Sequence, residues 1–81
     1  MASTEIFSET KSKNGWVLEI NKNNNLFITT SLYDKSGLFR EAKSFSLKKD
    51  NDLIFFKKYV ELFEENPDKN LRAMLAMKIR A

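Results

Sequence analysis

The chain has 81 residues, a net charge of +3, two glycines and neither histidine nor cysteine, which suffices for one domain and no more. Disulfides, imidazole or thiolate metal ligands and Ser-His or Cys-His nucleophiles are therefore excluded, and no Gly-rich phosphate loop is present. Composition thus predicts a protein that is not an enzyme and that has no cofactor, no metal and no small-molecule substrate. The weakly basic charge permits a nucleic-acid partner without requiring one.

The first residues, MASTEIFSETK, contain no apolar signal segment, and no apolar run approaches about 18 residues. The lack of cysteine is compatible with a reducing compartment. We therefore expect neither export nor a membrane partner. The expected location is the cytoplasm, with association with the nucleoid as one option there.

The first half of the chain predicts short strands joined by tight turns. Thr4 to Lys11 is a first strand, and Asn14-Gly15 gives a strong hairpin signal, because a type I′ turn needs positive φ at both central positions. Trp16 to Asn21 is the second strand. Within it Trp16, Leu18 and Ile20 alternate onto one face, which is typical of a face that packs on a core.

Two further strands follow a turn of three asparagines at positions 23–25. The third strand is Leu26 to Asp34. Its alternation places Leu26, Ile28, Thr30 and Leu32 inward and Phe27, Thr29, Ser31 and Tyr33 outward. The fourth strand runs from about Leu38 to Leu47, with Phe39, Phe45 and Leu47 on one side. Glu41 and Lys43 interrupt that side, which indicates an edge strand, a bulge or a strand that is only half covered.

The next segment has helical periodicity. Asp50 or Asp52 is a suitable N-cap for a helix from Leu53 to Glu65. Its apolar side chains span an arc of about 180°, whereas a surface helix on one sheet needs about 100°. A single sheet covers one side only, so the excess predicts obligate dimerisation. The residues expected at the dimer interface are Phe55, Phe56, Tyr59, Val60, Leu62 and Phe63.

Asn66-Pro67 ends this helix, because the residue before proline disfavours the α region. Asn66 can also cap a second segment that has Pro67 at its first helical position. Apolar residues then recur at helical spacing among basic ones. We therefore divide the chain into an α+β unit, residues 1–66, and a basic amphipathic tail, residues 67–81. The tail is either packed on the domain as a short helix or is an arm that touches phosphates.

The distribution of charge favours the sheet as the binding surface. Residues 51–67 hold two lysines against four acidic residues, so the helix repels a polyanion. The outward Phe27 and Tyr33 suit stacking on unpaired bases. The residues expected to contact nucleic acid, by stacking or at phosphates, are Lys11, Lys13, Lys22, Phe27, Tyr33, Lys35 and Arg40.

The order of these segments is more specific than any one of them. An Asn14-Gly15 turn leads into Trp16-Val17-Leu18-Glu19-Ile20, then Lys22-Asn23, Leu26-Phe27-Ile28-Thr29, Lys43 to Leu47 and the aromatic-rich helix Leu53 to Glu64. In this order, from about Glu5 to Glu65, they resemble the PUR repeat of the Pur-alpha family and its bacterial members with one repeat per chain.

This resemblance implies a ββββα repeat that forms an intertwined homodimer by exchanging helices. It also implies a regulator of transcription or translation that binds single-stranded, often purine-rich, DNA and RNA. Asn23 takes the asparagine position of the family's basic-x-Asn-x-Arg turn motif, and Phe27 takes the position of its stacking phenylalanine. Lys22 lies one place off the first basic position, which Asn21 holds.

The chain departs from the motif in two respects. The arginine is missing, its place falling within Asn24-Asn25, and the turn is one residue shorter. The loss of such an arginine removes a contact of about 1–3 kcal/mol. We expect the sheet face to offer Lys22, Asn23 and Phe27 to a single strand. The alternative is a non-enzymatic protein-interaction module that uses the same exposed aromatic face. Base preference and the choice between DNA and RNA stay open.

Overall fold

A computed structural model of the chain describes residues 7–23 and 26–77. Strands β1 (Phe7–Lys13), β2 (Trp16–Asn23), β3 (Phe27–Tyr33) and β4 (Phe39–Ser46) precede helices α1 (Asp50–Glu65) and α2 (Pro67–Ala76). The strands form one antiparallel sheet in the order β1-β2-β3-β4. The predicted α+β class, with a four-stranded sheet, a long helix and a short C-terminal helix, is confirmed.

The β1–β2 hairpin turns where the sequence predicts it. Asn14 has φ 53° and Gly15 has φ 86°, the two positive values that a type I′ turn requires. β1 continues to Lys13, two residues beyond the predicted end, because this turn pairs Lys13 directly with Trp16. The predicted start of the strand at Thr4 and the asparagines at 24 and 25 lie outside the described residues.

β4 is an edge strand with a bulge, as its two charged residues indicate. Leu32 pairs with Glu41, but the next pair is Tyr33 with Phe39, so Arg40 is an extra residue in the ladder. An extra residue reverses the faces of the strand beyond it. The expectation that Phe39 shares a face with Phe45 is therefore wrong. Phe39 lies on the opposite face, with its ring centroid 5.9 Å from that of Tyr33.

Both helices pack on one face of the sheet, hereafter the covered face. The side chains buried between these layers are Trp16, Leu18, Ile20, Leu32, Phe45, Tyr59, Phe63 and Met74. Two hydrogen bonds from polar side chains lie beside this core. The Tyr59 hydroxyl donates a 2.5 Å hydrogen bond to Glu41 Oε2, and Lys43 Nζ donates a 2.6 Å bond to the Met77 carbonyl. Burial, together with the neighbouring Glu41 carboxylate, raises the pKa of Tyr59 well above its usual value.

The start of α1 differs from the prediction. Lys49 occupies the N-cap without a side-chain hydrogen bond, so the assignment of Asp50 or Asp52 as N-cap is wrong. Both aspartates lie instead in the first turn, where the helix dipole favours negative charge. The buried Asp52 accepts a 2.8 Å hydrogen bond from the backbone N–H of Ser46, which ties the helix to the end of β4.

The second helix begins as predicted. The Asn66 side chain accepts a 3.1 Å hydrogen bond from the Lys69 N–H, and Pro67 takes the first helical position. Asn70 donates a 3.0 Å hydrogen bond to the Leu62 carbonyl, and Met74 is fully buried in the shared core. The described part of the tail is thus a packed helix. Among the described residues, neither helix is long and apolar enough to cross a membrane.

This second helix covers much of the wide apolar arc of α1. Of the six residues expected at a dimer interface, Tyr59 and Phe63 are fully buried within the chain. Phe56, Val60 and Leu62 are half-buried against the same core, and Phe55 keeps 40% of its surface exposed. Tyr59 and Phe63 therefore need no partner chain to cover them, whereas Phe55 stays exposed. Obligate dimerisation stays a prediction.

Candidate nucleic-acid interface

No described element covers the second face of the sheet, hereafter the open face. Strand alternation and the observed register define its members. They are Ser8, Thr10, Ser12, Val17, Glu19, Asn21, Phe27, Thr29, Ser31, Tyr33, Phe39, Ala42, Ser44 and Ser46. Most are small hydroxyl or amide residues, whose side chains project only a short distance from the sheet. The three aromatic rings therefore stand above a polar surface that can donate and accept hydrogen bonds.

Phe27 is the aromatic residue at one end of the open face. It pairs with Asn23 on β2 and Ser46 on β4, and 41% of its surface is exposed. Its predicted outward orientation is confirmed. The backbone of Asn23 lies beside it, but the Asn23 side chain is outside the described part of the chain. An exposed ring between small neighbours offers a flat π-face of the kind on which bases stack.

A second aromatic group lies at the other end of β3. Tyr33 and Phe39 meet edge to face, and Phe39 is 57% exposed. The Tyr33 hydroxyl donates a 3.4 Å hydrogen bond to Glu19 Oε1. Tyr33 lies six positions after Phe27 along the strand, a distance of about 20 Å. Sequence reasoning missed Phe39, because only the position of the bulge assigns its face.

The cations predicted for this interface mostly lie elsewhere. Lys11 and Lys13 alternate onto the covered side of β1, opposite Leu18 and Trp16. Lys22 pairs with Ile28, whereas its neighbour Asn23 pairs with Phe27. Adjacent residues of a strand point to opposite faces. The expectation that Lys22 shares the face of Phe27 is therefore wrong.

Three of the predicted cations, Lys11, Lys35 and Arg40, form ion pairs within the chain. Lys11 Nζ lies 3.0 Å from Glu64 and 3.1 Å from Glu9, and these partners raise its pKa. Lys35 lies 3.0 Å from Asp68. Ion pairs at a protein surface are weak, so these lysines can exchange their partners.

Arg40, the bulge residue, is held on the covered side. Its guanidinium lies 5.7 Å from the centroid of the Trp16 ring and 3.5 Å from Asp34. Asp34 also closes the β3–β4 loop, accepting hydrogen bonds from Ser36 and Leu38. The bond from the Ser36 hydroxyl is the main reason why the pKa of Asp34 is lowered. Among the described residues, Lys13 and Lys22 are the two predicted cations without an ion pair.

The open face itself carries one formal charge at its described positions, that of Glu19. This carboxylate is half-buried in the middle of β2, between Thr10 and Ser31 of the flanking strands. A carboxylate accepts hydrogen bonds and repels phosphate. The face is therefore suited to the edges and rings of bases, with phosphates directed away from it.

No protein-family model, curated protein or solved structure matches this chain. The resemblance to the PUR repeat therefore stays a prediction that rests on the residues quoted for it. Among residues 7–23 and 26–77, no group of three or more histidine, cysteine, aspartate or glutamate side chains is placed to hold a metal ion.

Proposed function

We propose that this chain binds single-stranded nucleic acid, DNA or RNA, by stacking unpaired bases on the open face. The observation that carries the proposal is Phe27, an aromatic ring that is 41% exposed on an uncovered sheet. A solvent-facing phenylalanine among small polar residues adds little to the core. In one class of RNA-binding domain, a four-stranded sheet presents aromatic rings on which two or three bases stack.

The spacing of the aromatic groups suggests how a strand would lie. Phe27 and the Tyr33–Phe39 pair provide two stacking positions about 20 Å apart along β3. Thr29 and Ser31 lie between them and offer hydroxyl groups to base edges. This arrangement recognises any base through its ring, so the binding is expected to tolerate many sequences.

Phosphate contacts contribute less than the sequence alone suggested. Glu19 repels phosphates from the middle of the open face. Lys13 and Lys22, which have no ion pair among the described residues, lie on the other side of their strands. A protein that contacts only about one to three phosphates of a single strand loses affinity slowly as the salt concentration rises. The logarithmic slope is about −0.7 per phosphate. We therefore expect a shallow salt dependence.

The resemblance extends the proposal to a cytoplasmic, nucleoid-associated PUR-repeat regulator that acts as a helix-exchanged homodimer. The observed order of four strands and a long helix agrees with what that resemblance implies. In such a dimer, α1 of each chain would remake with its partner the contacts that bury Tyr59 and Phe63 within one chain. Exchange of a whole element between identical chains requires no new side-chain contacts.

A protein-interaction module is the second candidate. Leu38 in the β3–β4 loop is 65% exposed and lies next to the exposed Phe39. Adjacent exposed apolar side chains of this size are common at protein interfaces. This observation favours a protein partner at the Tyr33–Phe39 end of the open face, but it leaves Phe27, at the far end of β3, without a role.

One titration separates the two candidates. Fluorescently labelled single-stranded DNA and RNA of about ten nucleotides, and the corresponding duplex, are titrated with the protein at several salt concentrations. Binding of single strands in preference to duplex, with a shallow salt slope, supports the proposal. Absence of binding to every oligonucleotide would refute it and leave the protein-interaction module. A duplex bound as tightly as single strands would also contradict stacking.

A further inference from the structure

The outer edge of β1 is unpaired within the described chain. β1 pairs with β2 along all seven residues, from Phe7 opposite Lys22 to Lys13 opposite Trp16, and no described strand lies on its other side. The strand contains neither proline nor a bulge, two features that commonly protect an edge. Its charged residues, Glu9, Lys11 and Lys13, are of both signs, so they disfavour a foreign strand but can pair with a second copy of this one. β4, the other edge, has the bulge at Arg40. β1 is therefore the edge that can accept another strand.

The hairpin fixes which backbone groups point to this edge. A two-residue type I′ turn makes Lys13 and Trp16 a hydrogen-bonded pair, and such pairs alternate along an antiparallel ladder. Lys11 and Glu9 therefore direct their N–H and C=O groups to β2. Ser8, Thr10 and Ser12 direct theirs outward, away from β2.

The sequence of β1 is complementary to itself in one antiparallel register. With Thr10 opposite Thr10, Ser8 faces Ser12 of a second copy, so all the outward backbone groups find partners. Glu9 then faces the partner's Lys11, so each Lys11 exchanges its intrachain contact with Glu9 for the same contact across the interface, and the pair recurs across the two-fold axis. Moving the register by one pair toward either end places Glu9 opposite Glu9, or Lys11 opposite Lys11, which is unfavourable. All seven residues of β1 are paired only in the register centred on Thr10.

A groove beside this edge supports the same pairing. A cavity of about 300 Å³ lies between β1 and α1, with Ile20, Phe56 and Val60 as its apolar lining. Its charged lining residues are of both signs: Glu9, Lys11, Lys57, Glu61 and Glu64. An antiparallel β1–β1 contact brings the partner's α1 alongside this groove, because both pairs of helices then lie on the same face of the joined sheet.

We infer that two copies of this chain associate through β1, in the antiparallel register centred on Thr10, to form one eight-stranded sheet. The partner is a second copy rather than another protein, because the complementary charges Glu9 and Lys11 belong to the same strand. The inference does not depend on nucleic-acid binding. It differs from the helix-exchanged dimer that the resemblance implies, in which α1 and not β1 joins the two copies. It adds that the two open faces join into one continuous surface, which doubles the length available to any ligand of that face.

Disulfide trapping tests the register directly, since the chain contains no cysteine. Hydrogen-bonded antiparallel partners have Cα atoms about 5.5 Å apart, within the range for a disulfide. Thr10→Cys should therefore form a covalent dimer rapidly under mild oxidation in the absence of nucleic acid. Ser31→Cys lies on the same face but in the interior of the sheet, so as the matched control it should remain monomeric on reducing-agent-free gels.

Two sedimentation experiments complete the test. Thr10→Pro removes only an outward N–H, so it should leave the β1–β2 ladder intact and convert dimer to monomer, with folding checked by circular dichroism. Glu9→Lys should weaken the dimer at least tenfold, and Glu9→Lys with Lys11→Glu should restore part of that loss. A wild-type chain that is monomeric at micromolar concentration would overturn the inference. So would equal trapping of the two cysteine variants, or a dimer broken by Phe55→Glu but not by Thr10→Pro, which would place the interface on α1.

Discussion

The indole N–H of Trp16 donates a 2.9 Å hydrogen bond to Oδ1 of Asp68, 52 residues further along the chain. The same oxygen lies 3.0 Å from Nζ of Lys35. One carboxylate thus joins the start of β2, the loop after β3 and the first turn of α2. This contact ties the first turn of α2 to the sheet.

Replacing Asp68 should loosen α2 in a manner that depends on pH. Hydrogen bonds from Trp16 and Lys35 lower the pKa of this carboxyl below 3.8. Its contribution to the free energy of unfolding is therefore complete above that value and is lost as the pH falls through the lower folded pKa. Asp68→Ala should lower the urea midpoint at neutral pH, and the difference from wild type should shrink below a pH of about 4.

The matched control is Asp68→Asn, which keeps an oxygen acceptor for Trp16 but removes the charge that attracts Lys35. Its urea midpoint should lie between those of wild type and Asp68→Ala. A difference between wild type and Asp68→Ala that stays constant across the acid range would show that the carboxylate charge has no part in holding α2.

Two phenylalanines of α1 should respond differently to truncation. Phe63 is fully buried in the core, so Phe63→Ala should reduce the free energy of unfolding by about 3–5 kcal/mol. Phe55 is 40% exposed, and Phe55→Ala should reduce it by less than about 1.5 kcal/mol. Chemical denaturation at several protein concentrations measures both values. An equally large and concentration-dependent loss for Phe55→Ala would mean that Phe55 is buried between chains.

The features predicted correctly from the sequence depend on neighbouring residues. Asn14-Gly15 and Asn66-Pro67 act through their own φ angles and caps, so the hairpin and the second helix are found where these signals place them. The outward orientation of Phe27 follows from alternation within β3 alone. Such local signals do not require knowledge of what packs against them.

The predictions that are wrong concern side chains whose face of the sheet depends on the exact pairing of one residue with the neighbouring strand. The turn predicted after Asn21 puts Lys22 beside Phe27, but β2 continues through Asn23 without interruption, so Lys22 faces the other side. Phe39 changes face because Arg40 is an extra residue, and the sequence indicates a bulge without locating it. The helical spacing of Met74 predicts an amphipathic tail but not that it packs against α1. These facts depend on pairing between distant segments.

The charge of Glu19 tests which face binds nucleic acid. Glu19→Lys adds two units of positive charge to the open face, so it should tighten binding of a single-stranded oligonucleotide and steepen its salt dependence by about one phosphate. Glu61→Lys adds the same charge on the exposed side of α1 and serves as the control. Its effect should be smaller and should disappear as salt screens the longer distance. The reverse order of effects would assign binding to the helices.

Phe27 provides the most direct test of stacking. Each base stacked on an aromatic side chain contributes about 1–3 kcal/mol, so Phe27→Ala should weaken binding of single-stranded DNA or RNA roughly 5- to 150-fold. Because the ring lies on the open face, the loss of stability should stay well below the roughly 3–5 kcal/mol of a core Phe→Ala change. Phe27→Trp should retain binding, since a broader ring also stacks. Leu38→Ala removes a more exposed apolar side chain outside the strands and should leave affinity unchanged. Thermal melting and oligonucleotide titration of these variants separate packing from binding. A Phe27→Ala protein that melts far below wild type, but whose folded fraction binds normally, would show that Phe27 is a structural residue.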